Sequence, residues 1–176
     1  MAHVAKAYAL NLQSRREEAI VEAERSLALN PSFMDAYGAL CSANLALARP
    51  DQCLELMDKA IRLSPRDPYL WLFFFFREYS YFMKGQYDQS IYWARRGVAI
   101  TPQVEMLLDL SSALALTGHQ AEAHEMLKRY LALGNVHTKT IAQLRIQLSW
   151  RADNPAQVEY FERLFAGLRK AGMPEE

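Results

Sequence analysis

Three phrases of this chain close on a proline and align with one another. Ser26-Leu27-Ala28-Leu29-Asn30-Pro31 matches Ala60-Ile61-Arg62-Leu63-Ser64-Pro65, and both match Gly97-Val98-Ala99-Ile100-Thr101-Pro102. The prolines fall 34 and then 37 residues apart. Twelve residues before each proline, a small residue precedes an aliphatic one: Ala19-Ile20, Cys53-Leu54 and Ser90-Ile91. Ala123-His124 continues the series without the aliphatic partner. A third landmark, a turn inside each unit, falls at Ser14, Ala48, Gly85 and Gly118. The second and third landmarks keep the same separations of 34, 37 and 33 residues. A period of this length restricts the chain to stacked copies of one supersecondary unit, each covering the face its neighbour leaves open.

The unit is helical. Between the 7 glycines and 7 prolines the sequence is rich in Ala, Leu, Glu, Arg and Gln, all compatible with helix. The β-branched runs of strands are missing. The class is all-α. A proline after the second helix of each unit cannot continue that helix and turns the chain into the next unit. Small residues at fixed places let two antiparallel helices approach closely.

This pattern resembles the tetratricopeptide-repeat (TPR) family. The resemblance implies a TPR-type alpha-alpha superhelix, or solenoid, forming a single domain over residues 1–176. Its repeats cover about 2–31, 32–65, 66–102 and 103–135, with a C-terminal helical cap over 136–176. Within the cap, Thr140 to Trp150 suits a short helix. Asn154-Pro155-Ala156-Gln157 then supplies an N-cap, a proline at the first helical position and a Gln three residues after the cap. Val158, Phe161, Leu164, Phe165 and Leu168 form one apolar stripe, and Gly172 and Pro174 end the helix. The stripe is expected to cover the last open face of the array.

The family uses the first helix of each unit to line an inner wall, and its function is to bind protein. Carried over residue by residue, the wall of the first unit is Val4, Ala5, Tyr8, Asn11 and Leu12. That of the second is Asp35, Gly38, Ala39, Ser42, Leu45 and Ala46. The third contributes Leu72, Phe75, Phe76, Tyr79, Phe82 and Met83, and the fourth Glu105, Leu108, Asp109, Ser112, Ala115 and Leu116. Some members clamp a carboxylate-ending chaperone tail with Lys, Asn and Arg. The clamp positions here are Ala5, Gly38, Phe75 and Leu108, so that ligand is not expected.

The third unit carries the most apolar wall. Winding Trp71 to Lys84 as a helix places Arg77, Ser80 and Lys84 on one narrow polar side and fills the opposite arc with aromatic residues and Met83. An arc of this size marks an interaction surface. The expected partner-binding residues are Leu72, Phe75, Phe76, Tyr79, Phe82, Met83, Tyr8 and Leu108. Three uses of the arc stay open at this point: docking of a protein or peptide partner, burial against a second copy in a homodimer, or core packed by adjoining units or the C-terminal cap.

Charge and chemistry narrow the function further. Lys plus Arg and Asp plus Glu are 20 each, a balance that argues against nucleic acid and anionic membrane. The longest apolar run, Tyr69 to Phe76, is eight residues where a membrane span needs roughly 20. The first residues lack the apolar core of a signal peptide, so a cytoplasmic location is expected. There is no phosphate loop, nucleophile elbow or metalloprotease motif. His119 and His124 are read as a turn residue and an exposed helix residue. Cys41 and Cys53 are read as two packed thiols, with a redox pair as the alternative. The expectation is a non-catalytic scaffold with no cofactor and no metal. Leu63-Ser64-Pro65-Arg66-Asp67-Pro68, Trp93-Ala94-Arg95-Arg96-Gly97 and the stretch from Gly167 to Pro174 also resemble bacterial TPR regions. Those regions follow nucleotide-cyclase or winged-helix domains, which implies a regulatory arm of a signalling protein.

Overall fold

The computed structural model describes residues 2–134, 138–149 and 154–176. Among them are ten α-helices and no strand. No helix of the described residues is long and apolar enough to cross a membrane. The chain divides into two compact units, 1–80 and 81–176.

The first unit holds α1 (Ala2–Leu12), α2 (Arg16–Leu29), α3 (Met34–Ala46), α4 (Pro50–Leu63) and most of α5 (Leu70–Met83). Helix α1 packs on α2, α2 on α3 and α3 on α4, and α1 also touches α3. The core explains the close approach: Ala7, Ala19, Ala23, Ala36, Ala39 and Ala43 are buried beside Val4, Leu10 and Leu40. Alanine brings little side-chain bulk between helix axes and loses no rotamer freedom on burial. Charge ties the same hairpin on its flank. Glu22, buried on α2, lies 2.6 Å from His3 Nδ1 and accepts from Lys6 Nζ at 2.9 Å and from Arg25 at 2.8 Å. Its hydrogen bonds to His3 and Lys6 hold its carboxyl down at about 2.

The four turn landmarks are special backbone positions. Ser14, Ala48, Gly85 and Gly118 all have positive φ, at 61°, 58°, 69° and 85°. In each hairpin the next amide bonds back to the first helix: Arg15 to Leu10 O, Arg49 to Asn44 O, Gln86 to Tyr81 O and His119 to Leu114 O, all within 2.8–2.9 Å. This is the left-handed helix stop, which glycine adopts without penalty and an L-residue adopts at a cost of roughly 1–2 kcal/mol. Ala48→Gly is therefore expected to stabilise the protein by about 0.5–1 kcal/mol, the relief of strain being partly offset by unfolded-chain entropy. A rise in the urea midpoint checks it.

Cys41 on α3 and Cys53 on α4 correct the sequence expectation of two separate thiols. Both are fully buried, their Cα atoms are 4.6 Å apart, and the structure joins them as a disulfide. Two small residues at the crossing point of one hairpin bring the sulfurs within bonding reach.

The longer third repeat takes up its extra residues before α5. Ser64 Oγ donates to Asp67 Oδ2 at 3.2 Å, and the Tyr69 amide donates to Asp67 Oδ1 at 2.8 Å. The added residues make an Asp-centred turn.

The second unit holds the end of α5, then α6 (Tyr87–Ile100), α7 (Val104–Leu116), α8 (Gln120–Leu131), α9 (Ile141–Leu148) and α10 (Pro155–Ala171). Helix α7 is its centre. It packs on α6, α8 and α10, and every residue from Met106 to Ala115 is buried. Helix α10 starts at Asn154, whose side chain accepts from the Gln157 amide at 3.0 Å, and stops at Gly172 with φ 103°. Asn135 and Trp150, at the expected edges of the fourth repeat and of the short cap helix, lie outside the described residues.

Candidate functional site

In the first unit the predicted wall positions do meet. Gly38 on α3 is the meeting point: a Cβ there would lie 2.9 Å from the Tyr8 hydroxyl, 3.7 Å from Phe76 and 3.8 Å from Leu72. The absent side chain is what admits α1 and α5 to this spot. Beside it, Asn11 Nδ2 donates to Ser42 Oγ at 2.9 Å, and the Tyr8 hydroxyl reaches the Asp35 carbonyl at 3.5 Å. Tyr8 as a whole is 36% exposed. Burial of its hydroxyl, with the Asp35 charge nearby, pushes its pKa up to about 12.

The apolar arc of α5 is smaller than the helical wheel suggests. Phe76, Tyr79 and Phe82 are buried, as is Leu108 on α7, so these four of the expected binding residues present no surface. Leu72, Phe75 and Met83 are half-buried. The expected polar side is also largely inside. Ser80 is fully buried and donates to the Phe76 carbonyl at 2.7 Å, and Arg77 is paired with Asp58 of α4. A wheel assumes one buried face and one wet face. Helix α5 instead buries Phe73, Phe74, Phe76, Glu78, Tyr79, Ser80 and Phe82 around most of its circumference. The remaining opening lies at Leu72 and Phe75, where the Phe75 ring sits 5.5 Å from Phe76 and 6.0 Å from Tyr79.

In the second unit α10 lies along α7, on the positions expected to form the wall. The Tyr160 hydroxyl donates to Asp109 Oδ1 at 2.8 Å. Ser112 Oγ donates to the Leu164 carbonyl at 3.0 Å. The Tyr160 ring meets the Phe82 ring edge-on at 5.2 Å, and Arg163 Nη2 donates to the Met83 carbonyl at 2.6 Å. Gly167 makes the closest approach. A Cβ there would sit 2.8 Å from Ser112 Cα, 2.5 Å from its carbonyl oxygen and closer still to its hydroxyl.

No protein-family model matches the chain, and no curated protein matches it in sequence. Solved structures do match. PilW, a type IV pilus biogenesis factor, superposes with a TM-score of 0.71 at 18% identity, over 97% of this chain and 80% of that one. TTC0263, a TPR protein of Thermus thermophilus, gives 0.67 at 18% identity, over 93% and 80%. YrrB, a TPR protein with an unusual peptide-binding site, gives 0.62 at 15% identity, over 96% and 86%.

The chain has the TPR fold.

In TPR terms, α1, α3, α5 and α7 are the first helices of the four repeats, and α10 packs on the first helix of the fourth, α7. Of its expected stripe, Phe161, Leu164, Phe165 and Leu168 are buried, while Val158 is 43% exposed. Tyr160 and Gly167, which make the wall contacts, were outside that stripe. A glycine in the interior of an otherwise strong helix was the available signal. The described residues hold no group of three His, Cys, Asp or Glu placed to bind a metal.

Proposed function

We propose that this TPR chain is a non-catalytic protein–protein interaction scaffold that docks a protein or peptide segment on the opening beside Gly38, with Tyr8, Leu72 and Phe75 as the contact residues. The observation that carries this reading is one exposed tyrosine on α1 beside two half-buried apolar side chains on α5. Aromatic anchors in a partly desolvated recess, rimmed by polar groups, are the usual composition of an interaction hot spot. The rim here is Asp35, Asn11 and Ser42. Phe76 and Tyr79 form the floor on which Phe75 rests. YrrB, of the same fold, has a peptide-binding site, which is in keeping with the proposal.

The test uses peptides selected from a random library for binding to the full chain. Leu72→Ser and Phe75→Ser should each weaken the selected peptides by about 30-fold or more, the loss expected of a hot-spot residue, while the thermal midpoint changes little. Equal binding by both variants would remove this surface from the proposal. Light scattering on the same samples separates peptide docking from self-association through the same opening: a concentration-dependent dimer abolished by Phe75→Ser would assign it to a second copy.

A further inference from the structure

We infer that the Cys41–Cys53 bond is a permanent covalent lock of the second repeat, closed by thiol–disulfide exchange during folding and sealed from reductants afterwards, and that the protein therefore works in an oxidising compartment. The inference is independent of the opening proposed beside Gly38.

Hairpin geometry favours a bond over two thiols. The two cysteines, 12 residues apart in sequence, sit where the helices of a repeat come closest, with their Cα atoms 4.6 Å apart. The same place holds Ala7 and Ala19 in the first repeat and Ser111 and Ala123 in the fourth, all buried. In the fourth, Ser111 Oγ donates to the Ala123 carbonyl at 2.8 Å. In the third, with its longer lead-in, the pair is Glu78 and Ser90. A crossing filled by two methyl groups, or by a methyl and a hydroxyl, is crowded by two separate thiols. Joining the sulfurs removes two hydrogens and replaces a van der Waals contact by a covalent one of about 2 Å. A Cα separation of 4.6 Å is one that a disulfide spans.

Burial then decides when the bond can form and break. Cys41 and Cys53 are both 0% exposed. Helix α5 covers them too, since the Cys53 sulfur lies 3.9 Å from the Phe76 carbonyl. Exchange requires a thiolate to reach one of the two sulfurs. Packed α3, α4 and α5 leave no such path among the described residues. The bond therefore forms before the hairpin closes over it and opens only when the second repeat unfolds. In forming it, one cysteine thiolate attacks a sulfur of an oxidant disulfide and releases one oxidant thiol. The second cysteine thiolate attacks the mixed disulfide and releases the other. Two electrons pass to the oxidant, and the two cysteine protons end on its thiols. Cytosolic thiol pools keep a folding chain reduced, whereas an oxidising compartment supplies the oxidant. This reading departs from the cytoplasmic location expected from the first residues.

The test uses the full chain, held in urea with equal reduced and oxidised glutathione and refolded by dilution into the same mixture. Alkylation with iodoacetamide in urea, read by intact mass, should then find neither a free thiol nor a glutathione adduct. Carried through reduced glutathione with a trace of the oxidised form, the chain should fold first and keep both thiols. Dithiothreitol should open the bond roughly 100-fold more slowly in the folded chain than in urea. The reduced chain should melt about 5–10 °C below the oxidised one, because the cross-link restricts the unfolded state. The Cys41→Ala/Cys53→Ala chain should melt at one temperature with or without reductant. Two free thiols after the oxidising mixture, or a bond formed in the reducing one, would overturn the inference. So would equal rates of reduction in buffer and urea, or equal melting of the oxidised and reduced chains.

Discussion

Phe82→Ala should cost about 3–5 kcal/mol of stability, the range for emptying a buried aromatic site. The Phe82 side chain is fully buried, edge-on to Tyr87 at 5.3 Å and to Tyr160 at 5.2 Å. Removing it opens a cavity between α5, α6 and α10 that none of the three can close alone. Phe75→Ala, two turns away on the same helix, should cost about 1 kcal/mol, because that ring is half in solvent. Urea unfolding of both variants reads the difference. Similar losses would mean that α5 does not divide into a buried and an open part as described.

The second large effect is at Gly167. Gly167→Ala adds one methyl group where the backbone of Ser112 already fills the space. Alanine favours helix by roughly 1 kcal/mol over glycine, so an exposed site would be stabilised. Here the contact is with backbone, which cannot rotate away. The α7–α10 distance must grow, and the Tyr160–Asp109 and Ser112–Leu164 hydrogen bonds stretch with it. A net loss of about 2–4 kcal/mol is expected, combining overpacking with the weakening of a hydrogen bond to a buried charge. Gly134→Ala is the control, since a Cβ there meets nothing within 4 Å; it should change the midpoint little. A stabilised Gly167→Ala protein would show that α10 does not lie against Ser112.

Most of the fold is legible in the sequence because repetition multiplies a weak local signal. A single Ala48 is no turn marker. Aligned with Ser14, Gly85 and Gly118, it is, and all four have the left-handed backbone. The alanine-rich core of the first hairpins follows from the small positions in the same way. Three features were not legible. An apolar stripe on α10 says that the helix buries one face, not which surface it buries it against. Asp109 and Ser112, polar residues at wall positions of an apolar helix, together with Gly167, hold that answer, but only once brought together in space. The arc of α5, for which docking, self-association and core packing all stayed open in the sequence, is largely buried. Its aromatic residues were read as surplus over what one neighbour can cover, while the helix is enclosed on most sides, so that Ser80 and Glu78 are as buried as Phe82. The disulfide between Cys41 and Cys53 likewise depends on a 4.6 Å Cα separation that spacing alone does not supply.

The packing of α10 against α7, through Tyr160 on Asp109 and Leu164 on Ser112, organises the second unit, and nuclear Overhauser spectra of the full chain test it most directly. The Tyr160 ring should show strong cross-peaks to the Phe82 ring, and the Gly167 α-protons to the Ser112 β-protons. A spectrum in which α10 is helical but Tyr160 and Gly167 have no cross-peaks to Phe82 or to α7 would contradict that placement.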